Sequence, residues 1–364
     1  MSQEIKQGWS SLAQQFDASP EYVGHFGWLC GYSADVSFLD DAAERFTRLG
    51  PAQRTYLGRI ALAVMLDPGS PKVSILDAPG VAHLPIKSIS GKPFRLLHAK
   101  VALLGFRHTL NHEDWRLRLI VSTGNWTRQT LEDSLDLVWC IDITSSDLTN
   151  AHHNLGSKCA DIKAATDLMR WLEERFDSRL LNARSSGRFS ETKNAREEVD
   201  KWLNLCIKKA NGQPRFIDNR KRSLLNTLPG KIKELGNTAS HNYLAMGSGF
   251  YEAVASDTAP DMPGTIIQTL QENGLLTKNP QVDLYVNPQA CQAIAESVSL
   301  LHDKGIKVRE AAVPKPVFGD RITRGLHAKF LFSTSIRHNL YICSSPWIYL
   351  GYGNLTNPGF AQKM

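Results

Sequence analysis

The chain has no run of 18 or more apolar residues, so no segment reads as a membrane span. Its start, MSQEIKQGWSSLAQQFD, lacks the basic and then apolar stretches of a secretory signal, and a cytoplasmic location is expected. No CxxC pair occurs among the six cysteines (Cys30, Cys140, Cys159, Cys206, Cys291, Cys343), which excludes a cysteine zinc site and a dense disulfide framework. Buried free thiols are the expectation. His108 and His112, four apart in HTLNH, fall between two strands and lack a third ligand, so no metal is assigned. GSGF at Gly247–Phe250 is too short for a phosphate loop and reads as a turn at a strand end. No cofactor is expected.

What is present is an ordinary globular composition: 364 residues, 42% hydrophobic and 21% charged. The net charge of +6 is unevenly spread. Between Arg179 and Glu234 stand fourteen basic and six acidic residues, a surplus of eight, while the rest of the chain sums to −2. Such a field favours a polyanionic partner or leaves a solvated linker face. On charge alone the two stand level; together with the Asn-type motifs and the absence of a membrane segment, nucleic acid is the expected partner, DNA ahead of RNA.

Short apolar runs bounded by turn residues (YVGHFGWLCGYSADV, RIALAVMLD, KVSILDA, FRLLHAKVALLGF, WRLRLIVSTGN, LDLVWCIDI) read as strands, and SFLDDAAERFTRL reads as a helix. From His241 the order repeats, through HNYLAMGSGFYEAVA, GTIIQTLQENG, QVDLYVN, QACQAIAESVSLLHDKG, GLHAKFLFS and RHNLYICSS. The expected fold is a duplicated α/β(α) sandwich of two similar halves with pseudo-two-fold symmetry and a site at their seam. Residues 1–160 form the N-terminal half, 161–236 a helical basic joint broken near 184–194, and 237–364 the C-terminal half. The second half lacks a strand equivalent to Leu135–Ile143, so a protein partner or a further C-terminal segment is expected to complete it.

The duplication carries chemistry. LHAK occurs at Leu97–Lys100 and again at Leu326–Lys329, trailed by STGNWT and GYGNLT. On a strand, a His and a Lys two apart share one face. Lys100 to Asn125 and Lys329 to Asn354 both span 25 positions, with the extra length expected before the following strand in the first half and after it in the second. Two histidines can break a phosphodiester without metal: one, neutral, attacks phosphorus, and the other, protonated, gives its proton to the leaving oxygen. Lysines and asparagine amides can hold the non-bridging oxygens.

At these residues the chain resembles the phospholipase D superfamily, which pairs two His-x-Lys motifs. The larger branch has an Asp five positions after the Lys, where Gly105 and Thr334 stand here. The pattern is more similar to the His-Lys-Asn type of the tyrosyl-DNA phosphodiesterases. The resemblance implies His98 as nucleophile, His327 as general acid/base, and Lys100, Lys329, Asn125 and Asn354 on the phosphate. Trp126, Trp347 and Tyr352 beside the two motifs are candidates for stacking on a planar substrate group, and Arg220, Lys221 and Arg222 for contacting nucleic acid. The expected activity is a metal-independent phosphodiesterase, either a DNA-end-processing enzyme or a nuclease, with a covalent phosphohistidine. The alternatives are a phospholipase or phosphatidyltransferase of the same superfamily, and a non-catalytic nucleic-acid-binding module of a defence or repair assembly.

Overall fold

The computed structural model describes residues 11–87, 94–150, 154–182, 191–252, 258–287, 291–312, 324–337 and 340–364. In the first half, β1 (Tyr22–Gly31) leads into α1 (Val36–Thr47) and α2 (Pro51–Leu57), followed by β2 (Leu62–Leu66), β3 (Val81–His83), β4 (Val101–His108) and β5 (Trp115–Ser122). Then come α3 (Arg128–Glu132), β6 (Ser134–Leu135), β7 (Val138–Thr144) and α4 (Ser145–Thr149). The first sheet has the order β3-β2-β1-β4-β5-β7, parallel from β3 to β1 and antiparallel onward.

Two helices, α5 (Leu155–Glu173) and α6 (Glu191–Lys209), lead to α7 (Leu224–Glu234), and then the pattern restarts. It runs through β8 (His241–Gly247), α8 (Asp261–Glu272), β9 (Leu276–Val286), α9 (Gln292–Asp303) and β10 (Ile306–Glu310). β11 (Gly325–Leu326), β12 (Phe330–Arg337) and β13 (Leu340–Leu350) follow as the last strands. The second sheet, β10-β9-β8-β12-β13, repeats the first in order and in every strand direction. It ends one strand short: among the described residues nothing pairs with β13 as β7 pairs with β5.

Local chemistry fixes the helices that follow the opening strands. α1 starts at Asp35, whose carboxylate accepts from the Phe38 N–H at 2.7 Å, and it buries Phe38, Leu39, Ala42, Ala43 and Phe46. α8 and α9 are followed by Gly274 and Gly305, with φ of 72° and 77°, conformations glycine adopts without steric cost.

The first sheet is buried on both faces. α1 packs on one face with Leu29, Val64, Ala102 and Leu104, and α5 and α6 pack on the other with Trp28, Val101, Leu103 and Val121. α7, α8 and α9 cover one face of the second sheet, over Leu244, Met246, Leu284 and Leu331. The joint therefore does not stand apart. The boundary expected at residue 160 falls inside α5, and α5 and α6 belong to the first half's core while α7 belongs to the second's. Wholly buried Asp161 on α5 ties the joint down, accepting from the Phe216 N–H (2.9 Å) and the Arg215 guanidinium (2.9 and 2.7 Å). A buried carboxylate is tolerated where its lone pairs are met in this way.

Two expectations need correction. KVSILDA is no strand: the N–H groups of Asp77 and Ala78 turn back onto the Ser74 carbonyl, and Leu76 is exposed. The motif spacing is also met identically in both halves. Ser122 N–H donates to the Lys100 carbonyl (2.9 Å), as Gly351 N–H does to that of Lys329 (3.2 Å), each 22 positions on. The second hairpin absorbs its extra residue as a bulge at Ser345 (φ 49°) within β13, so Asn354 stands in register with Asn125. The break expected at 184–190, with Arg184 and Arg188, lies outside the described residues.

Candidate active site

Both His-x-Lys motifs lie at the start of equivalent strands, with Lys100 just before β4 and Lys329 just before β12. Each strand is central in its sheet, so the lysine stems are wholly buried, and β1 and β8 lie beside them. The two strand ends meet. His98 Nδ1–H donates to the carbonyl of Tyr352 in the second half's GYGN turn (2.9 Å), and Lys329 Nζ donates to the Thr123 carbonyl in the first half's STGN turn (3.4 Å). The inter-half pairing of β11 with β6 stitches the seam, and the N–H groups of His327 and Ala328 both donate to the Leu135 carbonyl (3.0 and 2.8 Å).

The two rings are held alike but backed differently. Lys100 Nζ lies 3.1 Å from His98 Nε2, and Lys329 Nζ 2.9 Å from His327 Nε2. His98 has a neutral backbone carbonyl at Nδ1. His327 has the Asp136 carboxylate there, at 3.0 and 3.2 Å. Thr123 Oγ1–H donates to the same carboxylate at 2.7 Å.

Burial, reinforced by the charges of Lys100 and Lys329, pushes His98 down to about 2. Burial, then repulsion from Lys329, holds Lys100 well below the ordinary lysine range. Burial lowers Lys329 to about 8, with Asp136 partly offsetting it. Burial raises the Asp136 carboxyl, but the hydrogen bond and charge of His327, with Lys329 and Thr123, outweigh it and leave it below the ordinary range. The result is a seam of crowded positive character with one carboxylate held below the ordinary range beside it, an arrangement that an entering anion relieves.

The Gly-Asn turns complete it. A Cβ at Gly124 would come within 2.7 Å of Asp136 Oδ2, and one at Gly353 within 2.7 Å of the Gly359 carbonyl, so both turns need glycine for close approach. Asn125 and Asn354 are half-buried, and the Oδ1 of each is buried without a hydrogen-bond partner. Such groups are costly unless a ligand meets them, and a carboxamide can present its NH₂ in the same place.

His98, Lys100, His327 and Lys329 thus come together with the two turns that carry Asn125 and Asn354, whereas the aromatic and arginine candidates largely do not. Trp126 is wholly buried among Phe16 and Phe38, with its indole N–H on the Cys30 carbonyl (2.8 Å), so it is first-half core and touches no substrate. Trp347 sits inside β13 opposite Ser333, four strand positions before Gly351, against the second half's core. Tyr352 is at the site through its carbonyl and also through its ring, which lies edge-on to His98 (6.4 Å between centroids), buried and with its hydroxyl donating to Asn219 Oδ1. Arg220 is forked on Asp218 (2.9 and 2.8 Å) and donates to the Asp167 carbonyl (3.0 Å), which spends it structurally. Lys221 and Arg222 are exposed.

Sequence reasoning missed Asp136, which lies outside the two shared motifs, on the stretch between the STGN turn and β7. It also missed Tyr32 and Phe250. These exposed rings lie beside His98 (5.1 Å between centroids) and His327 (6.2 Å), one after each opening strand. The signal was available in GYS after β1 and GSGF after β8.

Among solved structures, the chain aligns over 96% of its length with 81% of a yeast tyrosyl-DNA phosphodiesterase mutant, at a TM-score of 0.53 and 10% identity. The chain shares that enzyme's fold. No family model matches, and no curated protein matches. At such identity the likeness to the phosphodiesterase is one of fold, and the chemistry rests on the residues above.

Proposed function

We propose that the protein is a metal-independent phosphodiesterase acting on nucleic acid, in DNA-end processing or as a nuclease. The observation that carries this reading is the convergence of two His-Lys-Asn sets on one buried, positively charged seam. His98, neutral and with Nδ1–H on a carbonyl, offers the Nε2 lone pair to phosphorus. The P–N bond forms as the P–O bond to the leaving group breaks, and His327 Nε2–H protonates that oxygen. His327, whose Nδ1 faces the Asp136 carboxylate at 3.0 Å, takes the acid/base role. Lys329 rests on His327 Nε2, and a phosphate oxygen in the gap draws the ammonium onto itself and frees that nitrogen. Water, deprotonated by His327, then cleaves the P–N bond. Lys100, Lys329 and the two asparagines hold the non-bridging oxygens. Tyr32 and Phe250, flanking the rings, are suited to stack on bases or a planar leaving group.

Labelled single-stranded DNA, a 3′-tyrosyl oligonucleotide and phosphatidylcholine vesicles, assayed in parallel with excess EDTA, test this. Cleavage of either oligonucleotide that survives chelation is expected. Activity lost to EDTA and restored by Mg²⁺ sinks the mechanism, and cleavage of lipid alone transfers the site to the phospholipase reading. Tight DNA binding with no turnover points to a non-catalytic module.

The joint meets the polyanion through its unpaired cations. Arg179, Lys193, Arg196, Arg215, Arg220 and Lys231 each face a carboxylate, leaving, among the described residues, Lys201, Lys208, Lys209, Lys221, Arg222 and Lys233 as exposed charges. Reversing Lys221 and Arg222 to Glu is expected to weaken DNA binding and flatten its log–log salt slope by about 0.7–0.9 for each phosphate no longer neutralised. An unchanged slope returns this stretch to a solvated face.

A further inference from the structure

The two Gly-Asn turns place Thr123 and Tyr352 at equivalent positions, each two residues before its asparagine. Both send their carbonyls across the seam. That of Thr123 accepts from the Lys329 ammonium (3.4 Å), and that of Tyr352 accepts from His98 Nδ1–H (2.9 Å). The second contact decides a chemical question. Lys100 Nζ stands 3.1 Å from both ring nitrogens of His98, so it favours neither. A carbonyl has no proton to give, and the ring nitrogen that faces it must carry one. Tyr352 thereby selects the Nδ1–H form and leaves the lone pair on Nε2.

The side chain of Tyr352 is anchored well away from the turn. Its ring leaves its own half and joins the buried core of the first, edge-on to His98 at 6.4 Å between centroids. Its hydroxyl donates to Oδ1 of Asn219, in the segment between α6 and α7. Asn219 is itself buried, and its amide has one orientation. Nδ2 donates to the Gln362 carbonyl (3.3 Å), which turns Oδ1 to the phenol. The residues around it are clamped as well. Arg220, forked on Asp218, donates to the Asp167 carbonyl of α5 (3.0 Å), and the Phe216 N–H donates to Asp161 of the same helix (2.9 Å). A line of fixed contacts therefore runs from α5 through Asn219 and Tyr352 to the ring of His98.

We propose that Asn219 is a positioning residue for the nucleophile: by holding the Tyr352 hydroxyl it keeps the Tyr352 carbonyl on His98 Nδ1 and so sets the tautomer of the ring. The use made of the His98 lone pair rests on the phosphodiesterase reading, whereas the tautomer itself does not. Asn219 touches the ring only through Tyr352, so its loss changes the reacting group and leaves substrate binding alone.

Two variants test it in the full-length protein. Tyr352→Phe keeps the ring and removes the hydroxyl, and Asn219→Leu keeps the bulk and removes the acceptor. Nuclear magnetic resonance of protein isotope-labelled at its histidine nitrogens reads the tautomer, with the His98 signals assigned by their loss in His98→Gln. At neutral pH the wild type is expected to show Nδ1 protonated and Nε2 bare, and each variant to mix in the Nε2–H form. On a 3′-tyrosyl oligonucleotide each variant is expected to lower kcat about tenfold, the worth of one hydrogen bond, with KM held within about twofold. The double variant is expected to be no slower than the slower single one, since both remove the same bond. Thermal melting controls for folding, and Tyr352→Phe, the gentler change, decides the matter if Asn219→Leu melts early. A wild-type ring protonated at Nε2, or an Nδ1–H form untouched in the variants, overturns the proposal. Losses that multiply in the double variant separate Asn219 from Tyr352 and overturn it too. A tautomer that shifts as expected, in a protein that cleaves no oligonucleotide, supports the positioning and counts against the phosphodiesterase reading alone.

Discussion

His98→Ala is expected to abolish turnover and leave no protein-bound product, whereas His327→Asn slows turnover and lets a covalent protein–substrate species accumulate on a denaturing gel. The difference follows from what backs each ring. His98, pushed down to about 2 by burial and two lysine charges, is neutral over the whole working range, and its Nδ1–H is committed to the Tyr352 carbonyl. Its Nε2 carries the lone pair of that neutral ring, with Lys100 Nζ at 3.1 Å and no carboxylate behind the ring. Without it no P–N bond forms, and the loss is that of the whole covalent route. His327 acts twice, as acid in the first step and as base in the second, and general acid–base assistance is worth roughly 10²–10⁴-fold at each. A good leaving group bypasses the first need but not the second, so release becomes slow and the adduct persists. An adduct on His98→Ala and none on His327→Asn would reverse the two roles. No adduct on either, with both variants folded and DNA bound, would remove the covalent mechanism.

How far the sequence reached can be read from particular residues. The twin LHAK and Gly-Asn sets were legible because duplication prints the same pattern twice, and a His and Lys two apart on a strand must share a face. The recurrence of elements along the chain was legible from the same repeat. KVSILDA misled because a short apolar run specifies a strand only if a neighbour pairs with it, and here Ser74 turns the chain instead. Trp126 misled because a tryptophan beside a motif looks like a platform, while its opposite face was needed to fill the core between Phe16 and Phe38. Arg220 looked like part of a basic run, yet Asp218 two residues earlier already forks it. Asymmetry was invisible for the same reason symmetry was plain. Comparing halves finds what they share, and Asp136 was not among the shared motif residues.

Asp136→Asn is expected to lower kcat by roughly 10²–10⁴-fold with little change in KM, and to move the alkaline limb of the pH–rate profile to lower pH. The amide is nearly isosteric and its oxygen still accepts from His327 Nδ1–H, so ring position survives while the negative charge is lost. That charge does two things. It balances the second proton on His327, without which the leaving oxygen departs unprotonated. It also offsets the burial of Lys329, which stands at about 8 with Asp136 present. Lys329 is a base whose proton-bound form carries the useful charge. Its contribution is full below its folded pKa and is lost as pH rises through about 8, and removing Asp136 lowers that point further. His98 sets no acid limb in this range, since it gains a proton only near 2. Asp136→Ala is a harsher test that leaves Thr123 and His327 facing an unfilled place, at a cost in stability of about 1–3 kcal/mol. The measurement is therefore kcat and KM across pH 5–9 for the wild type and Asp136→Asn, with thermal melting as the control for folding. A fall in kcat with the alkaline limb unmoved would mean that Asp136 only holds the ring in place. An unchanged kcat would mean that His327 does not work as the acid at all.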